Sequence, residues 1–431
     1  MALTGRTVLL AALGALLVGL ALPGPWGLAA VEGVLLAGVV ADLALAASVR
    51  GLVLTRSGDR AVRLGGTASI ELVVRNPGPR PLRGVLRDAW PPTAGAAQAR
   101  HRLLVPAGEQ RRLAVTLRPT RRGDRRASHV TVRSLGPLGL AARQRTHEVA
   151  WTVRVLPPFA SRKHLPARLA RLRDLDGRTA VLRRGQGTEF DSLREYVIGD
   201  DVRSIDWRAT ARAADVMVRT WRPERDRHLL LVLDTGRTAA GRVGDAPRLD
   251  SAMDAALLLG ALASRAGDRV DLLAYDRMVR AGVAGVGVTE LLPALVNAMA
   301  PLQPELVETD VRGMISEVLA RAPRRSLVVL FTGLDAAAVE EGLLPALPSL
   351  LRRHEVVVAA VADPRVAEMA AGRGASDAVY DAAAAERARA ERRGVARLLG
   401  RRGVMVIDAT PERLAPAVAD AYLALKAAGR L

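Results

Sequence analysis

Two apolar runs open the chain. No residue from Thr7 to Leu22 is charged, Pro23-Gly24-Pro25 interrupts, and a second run extends from Trp26 to Val49. Helix-breaking residues between two hydrophobic stretches predict a transmembrane helical hairpin over residues 1–50. Arg6 precedes the first run, Arg50, Arg56, Arg60 and Arg63 follow the second, and the turn carries no basic residue. By the positive-inside rule both ends, and with them the large C-terminal region, are expected in the cytoplasm of a multi-pass protein of the cell membrane. Glu32 and Asp42 interrupt the second run, at about 2.5–3.5 kcal/mol each if placed at a bilayer centre. Glu32 suits the outer interface near Trp26. Asp42 is expected to face the other helix, the inner headgroups or a membrane partner.

Beyond Arg50 the period changes to two. Short alternating runs such as ASIELVVRN, LRGVLRDAW, RRLAVTLRPT, HVTVRSL and VAWTVRVLP, separated by Asn76-Pro77-Gly78 and Arg122-Gly123-Asp124, predict an antiparallel β-sandwich over 51–158. A linker and a distinctive segment follow over 159–227, with helix expected in part of Ala160 to Leu182. From His228 the pattern alternates again. HLLLVLD, RVDLLAYD, SLVVLFTG, EVVVAAVAD and GVMVIDAT are continuous apolar strands with amphipathic helices between them. They predict a parallel, doubly wound α/β domain over 228–431, whose ligands would sit at the carboxyl ends of the strands.

Charge changes this picture little. The formal net charge of +19 would ordinarily point to nucleic acid or an anionic surface. Almost all of it is arginine, since Lys163 and Lys426 are the only lysines, and it is spread along the length while base-stacking aromatics are scarce. Nucleic acid is therefore disfavoured as a partner. The chain has no cysteine, which excludes disulfides, thiolate metal sites and cysteine nucleophiles. Its six histidines are scattered without H-E-x-x-H, and neither a G-x-S-x-G elbow nor a phosphate-binding G-x-x-x-x-G-K-[ST] loop occurs.

Two places carry candidate chemistry. The first α/β strand ends in Asp234-Thr235-Gly236-Arg237-Thr238, a carboxylate followed by hydroxyls on one loop, similar to the metal-ion-dependent adhesion site of von Willebrand A domains. Hard oxygen ligands of this kind suit Mg²⁺. Asp234, Thr238 and Thr309, or Asp310 beside Thr309, are the candidate ligands of a degenerate site. Gly236 and Gly333 stand where that fold usually supplies a hydroxyl and an aspartate, and Asp335 is two residues further on. The competing expectation is that Asp234 and Thr238 cap the following helix, with no cofactor held.

The second place is the stretch Arg183 to Trp221. Arg194, Asp200, Asp201, Arg203, Asp206, Arg208 and Arg212 surround Tyr196 and Trp207. Arginine forks pair with carboxylates and stack on aromatic rings. The network is expected either to join the two large domains or to form a docking surface, since Trp, Tyr and Arg anchor interfaces.

The run from Phe190 to Arg212, FDSLREYVIGDDVRSIDWRATAR, resembles the signature of the bacterial membrane-protein family known as domain of unknown function 58. Smaller matches are Arg121-Arg122-Gly123, Gly136-Pro137-Leu138-Gly139-Leu140 and Gly267-Asp268-Arg269-Val270. The resemblance implies a membrane hairpin, a β-rich region, the signature and a von Willebrand A-like (Rossmann-like) domain, in that order. It also implies a MoxR-type AAA+ ATPase as protein partner in chaperone-like maturation of other proteins, and it carries over no catalytic residues. The expectation is a membrane-anchored, non-enzymatic scaffold whose hairpin contacts lipid; the alternative is a metal-dependent receptor or hydrolase at the strand ends around Asp234.

Overall fold

The structure is a computed structural model and describes residues 1–21, 23–182, 189–198, 200–213, 215–222 and 227–431. Positions 183–188, 199 and 214 of the signature stretch, and the side chains of Phe190 and Trp221, lie outside the described residues. The chain forms two compact units, Met1–Leu156 and Pro157–Leu431.

The first unit begins with two apolar helices, α1 (Gly5–Ala21) and α2 (Pro25–Leu45). Pro25 at the first helical position fits the fixed backbone angle of a helix start. Gly14 of α1 lies against the Val31 side chain of α2, where a Cβ would collide. Only α2, with 21 residues and mean hydropathy 2.1, is long and apolar enough to cross a membrane among the described residues; α1 is a shorter apolar helix. At 1.5 Å per residue α2 is about 32 Å long, close to the thickness of a bilayer's hydrocarbon core.

Asp42 is not left to a lipid or a membrane partner. It is fully buried. Its Oδ1 accepts the backbone N–H of Leu138 at 2.7 Å, and its Oδ2 accepts those of Leu140 at 2.5 Å and Ala141 at 3.0 Å. Successive backbone N–H groups in a turn make a concave anion site, here filled by the chain's own carboxylate. Gly136 is required beside it, because a Cβ there would strike the Asp42 side chain.

That turn joins two long strands of a β region. One sheet holds β1 (Val53–Gly58), β2 (Ala68–Arg75) and β5 (Gln110–Leu117). The other runs β7 (Ala141–Leu156), β6 (Gly123–Leu135), β3 (Leu82–Asp88), β4 (Arg100–Val105), all antiparallel, with Ala2–Leu3 at its β7 edge and Ala61–Arg63 parallel to β7. Leu72 and Val74 of β2 share a core with Leu82, Leu86, Val130 and Val132 of the other sheet. Strands β1 and β4 are additions to the sequence expectation. Between the sheets Arg56 of β1 pairs with Asp88 of β3, both side chains almost fully buried, and Trp90 Nε1 donates to the same carboxylate at 2.8 Å.

The second unit starts with α3 (Leu165–Leu182) and a two-stranded antiparallel ribbon, β8 (Glu189–Glu195) and β9 (Met217–Arg222). A six-stranded mixed sheet follows in the order β12–β11–β10–β13–β14–β15, comprising Val279–Val283, Arg269–Tyr275, His228–Asp234, Leu327–Phe331, Glu355–Val361 and Met405–Ala409. Five strands are parallel; β12, which the sequence reading did not include, returns antiparallel along β11. Alternate strand residues face opposite sides. Leu230, Val232, Val328 and Leu330 pack with helices α6 (Val311–Arg321), α7 (Leu344–Leu351) and α8 (Ser376–Arg401). Toward the other face, Leu231 meets Gly260 of α4 (Arg248–Arg265), which also receives Leu295 of α5 (Val288–Met299). The last helix, α9 (Pro411–Ala427), packs on α4.

Candidate functional site

The signature is built on the ribbon. Between β8 and β9 the chain makes a turn, a single 3₁₀ turn at Val202–Ser204 and a short helix at Trp207–Thr210. Three of its acids are engaged locally. Asp200 accepts Arg194 Nη2 at 2.6 Å and the Val197 N–H at 3.0 Å. Asp201 caps the 3₁₀ turn through the Arg203 N–H at 3.0 Å. Asp206 caps the short helix through the N–H groups of Arg208 and Ala209, both at 3.0 Å, and pairs with Arg219 Nε at 2.7 Å. The Arg194 bond, followed by the Val197 N–H, holds Asp200 below the usual carboxylate range, and Arg219 with the cap bonds does the same for Asp206. The Tyr196 N–H donates to Val216 O at 2.7 Å and ties the loop to the ribbon.

This changes the expected network. Asp200 and Asp206 pair with Arg194 and Arg219, and Arg203, Arg208 and Arg212 stand exposed without a side-chain partner among the described residues. Guanidinium–aromatic stacking among the described residues lies in the β region instead, Arg56 on Trp90 and Arg60 on Trp151. Around the free arginines Val197, Ile198, Val202 and Trp207 are 60%, 97%, 63% and 69% exposed. Four large apolar side chains at this exposure on one loop exceed the scattered single residues of an ordinary surface.

The strand-end site brings Asp234, Thr238 and Thr309 together and adds Thr332. Asp234 Oδ1 accepts from Thr309 Oγ1 at 2.6 Å and the Gly236 N–H at 2.8 Å; Oδ2 accepts from Thr238 Oγ1 at 2.8 Å and Thr332 Oγ1 at 2.6 Å. All four lone-pair positions of a buried carboxylate are thus filled by neutral donors. The helix-capping expectation for Asp234 fails, because Gly236 is the N-cap of the following turn and offers no side chain. Asp310 serves α6 instead, accepting the Gly313 N–H at 3.0 Å. The glycines are filled from neighbouring residues: a Cβ at Gly236 would meet the Thr309 hydroxyl, and one at Gly333 would meet Asp335 Oδ2. The sequence does not announce Thr332: its strand end is marked by the glycine at 333, where a carboxylate is usual, and the hydroxyl that reaches Asp234 stands one residue earlier. The loops are also tied by Asp276, which accepts Arg280 Nε at 2.6 Å and Thr235 Oγ1 at 3.1 Å. Hydroxyls that donate to Asp234 keep their own lone pairs for a hard cation, so Thr238, Thr309 and Thr332, with Asp335, fit Mg²⁺ in kind.

At the opposite ends of the strands, His228 Nδ1 lies 2.9 Å from Ser326 Oγ and Nε2 lies 2.9 Å from Asp271 Oδ2. No spacing in the sequence announces this alignment. Ser326 Oγ also lies 2.9 Å from Arg324 O, so its single hydrogen is shared between that carbonyl and the imidazole Nδ1 as alternatives. His354, buried nearby with no hydrogen-bond partner at either ring nitrogen, has its pKa lowered by burial and then by Arg353 and His228.

Residues 192–396 match the model of the family described as Protein of unknown function DUF58. It is similar to the uncharacterized protein Rv1480 of Mycobacterium tuberculosis and to Mb1516 of Mycobacterium bovis, each 28% identical over 187 residues, 43% of this chain and 58% of the relative. The chain thus spans under two thirds of the length of the curated relatives it matches. Among solved structures, the CARDB domain of the PF1109 protein from Pyrococcus furiosus is 18% identical, with 24% of this chain and 86% of that one covered and a TM-score of 0.19. A PapD-like domain of human CEP192 is 12% identical over 24% of this chain and 84% of that one, with a TM-score of 0.18. Scores this low carry no argument about fold or function.

Proposed function

We propose that the protein is a membrane-anchored, non-enzymatic scaffold that docks a protein partner on the signature loop. The apolar helices are read as a two-pass hairpin with the large C-terminal region cytoplasmic, and the second unit as von Willebrand A-like. One observation carries the docking: Trp207, Ile198, Val197 and Val202 stand exposed beside Arg203, Arg208 and Arg212, which have no side-chain partner among the described residues. Exposed aromatic and aliphatic anchors ringed by arginine suit a partner with an acidic, partly apolar face. The resemblance in the signature makes a MoxR-type AAA+ ATPase the partner of choice. The test is photocrosslinking in native membranes from probes at Ile198 and, as control, at Tyr380, which is also exposed. Capture of the ATPase from position 198 and not from 380 supports the reading; equal capture from both, or none from 198, contradicts it.

A second reading, a metal-dependent receptor at the strand ends, is favoured by the Asp234 site. Its buried carboxylate is held by four neutral donors, and Asp335 fills the place left by Gly333. A Mg²⁺ held there would offer a Lewis-acidic point to a ligand carboxylate. Calorimetric titration of the full chain with Mg²⁺ and Mn²⁺ tests it: binding abolished by Asp234→Ala establishes a cation site, and absence of heat removes it.

A further inference from the structure

The Asp42 clamp leaves no free linker between the membrane helix and the β region. Besides the three N–H bonds to Asp42, Arg143 Nε donates to Leu43 O at 2.8 Å and Arg80 Nη1 donates to Ala44 O, so the last turn of α2 is bound to strands β3 and β7 and their flanking loops. The start of α1 is bound to the same turn. Thr4 Oγ1 donates to Gly139 O at 2.6 Å, Thr7 Oγ1 to Leu140 O, and Arg6 Nη1 approaches Leu138 O at 3.5 Å. The N-terminal end of one apolar helix, the C-terminal end of the other and the turn 136–141 therefore share one level.

At that level two features meet. Leu138, at the tip of the turn, is 52% exposed, and Leu3 is 63% exposed. Around them Arg6, Arg80 and Arg143 each use one N–H on a backbone carbonyl, and a guanidinium has five. Arg6 and Arg80 are exposed and Arg143 half-buried, so the remainder of each fork is available. An apolar tip at the same level as three forked cations, at the end of a helix whose side chains stand clear of the protein, matches a bilayer surface, with acyl chain on one side and phosphate on the other.

We propose that the turn 136–141 is a membrane footing: Leu138 enters the headgroup layer, and Arg6, Arg80 and Arg143 bind the phosphates of anionic phospholipid. This rests on the membrane-anchor reading and adds to it a fixed depth and a lipid preference. A basic residue at the surface of an anionic membrane is worth about 1 kcal/mol, or roughly fivefold in relative association.

The chain contains no cysteine, so Leu138→Cys provides a single labelling site. The full chain, labelled there with a fluorophore, is reconstituted into phosphatidylcholine vesicles. Trace lipid bearing a headgroup nitroxide is added, either phosphatidylglycerol or phosphatidylcholine. The expected result is strong quenching, with phosphatidylglycerol favoured about fivefold or more, a preference that collapses in 0.5 M salt and in Arg6→Gln/Arg80→Gln/Arg143→Gln. The salt arm reads the same interaction without a substitution, should the triple variant misfold. Quenching by both lipids alike, with no effect of salt, overturns the lipid preference. No quenching in vesicles from which alkaline carbonate cannot extract the chain overturns the footing while the anchor stands; complete extraction by carbonate overturns the anchor itself.

Discussion

The Asp42 carboxylate, fully buried in the last turn of α2, accepts the backbone N–H of Leu140 at 2.5 Å, 98 residues along the chain. An acid that reads as a liability in an apolar helix is the residue that fixes the helix to the β region. Asp42→Leu removes the acceptor from three backbone donors. Bonds to a charged group contribute about 1.5–3 kcal/mol each, so the first unit should lose at least about 3 kcal/mol. Thermal unfolding of the detergent-solubilised chain measures this, and an unchanged transition for that unit would contradict the clamp.

The Arg56–Asp88 pair is expected to be sensitive to removal of either partner. Burial lowers the Arg56 pKa despite the nearby Asp88 charge and hydrogen bond, which shows how strongly the site opposes an unpaired charge. Asp88→Ala leaves a guanidinium buried alone and should destabilise the β region by about 3–5 kcal/mol. A loss under 1 kcal/mol in denaturant unfolding would show that the pair is solvated in the native state.

How much of this was legible varies with sequence separation. The apolar strands from His228 onward and the alternation of the β region announced their layers directly, because period and length are local properties. Val53–Gly58 and Arg100–Val105 were not anticipated: both carry arginines among their strand positions, which obscures the period of two. Helix α8 begins at Ser376, ahead of any apolar stripe, since its Ala-rich first turns need none to be helical. The partners of Asp42 were illegible, and so was Thr332 at the Asp234 site. Thr238 and Thr309 were named with Asp234 from the likeness of its loop to an adhesion site, whereas Thr332, 98 residues away, is brought to it by a neighbouring strand end that no local pattern encodes.

Thr332→Val tests the hydroxyl ring. It removes one bond to a buried carboxylate while keeping the shape, and about 1.5–3 kcal/mol of stability in the second unit should go with it. A variant as stable as the parent would mean that water replaces the hydroxyl at no cost.

Acid stability should report on Asp276. Its burial alone would raise the pKa, but the bonds from Arg280, the N–H groups of Arg277 and Met278, and Thr235 outweigh this and bring it below the ordinary value of 3.8. A carboxyl depressed on folding contributes stability that is complete above the unfolded value and is lost as pH falls through the folded one. In Arg280→Met the folded value rises toward the unfolded one, so this contribution shrinks, and acid unfolding of the second unit should begin at higher pH. An acid limb that does not move would place the stabilisation elsewhere.

We propose that the exposed signature loop holds a protein partner. The most direct measurement is the affinity of the purified full chain in nanodiscs for a MoxR-type AAA+ ATPase, compared with that of Trp207→Ala/Arg208→Ala. Interface anchors of these types typically contribute about 2 kcal/mol or more each, so the double variant should bind at least about thirtyfold more weakly with its thermal unfolding unchanged. Equal affinity of the two proteins, or no binding by the parent chain, would contradict the account.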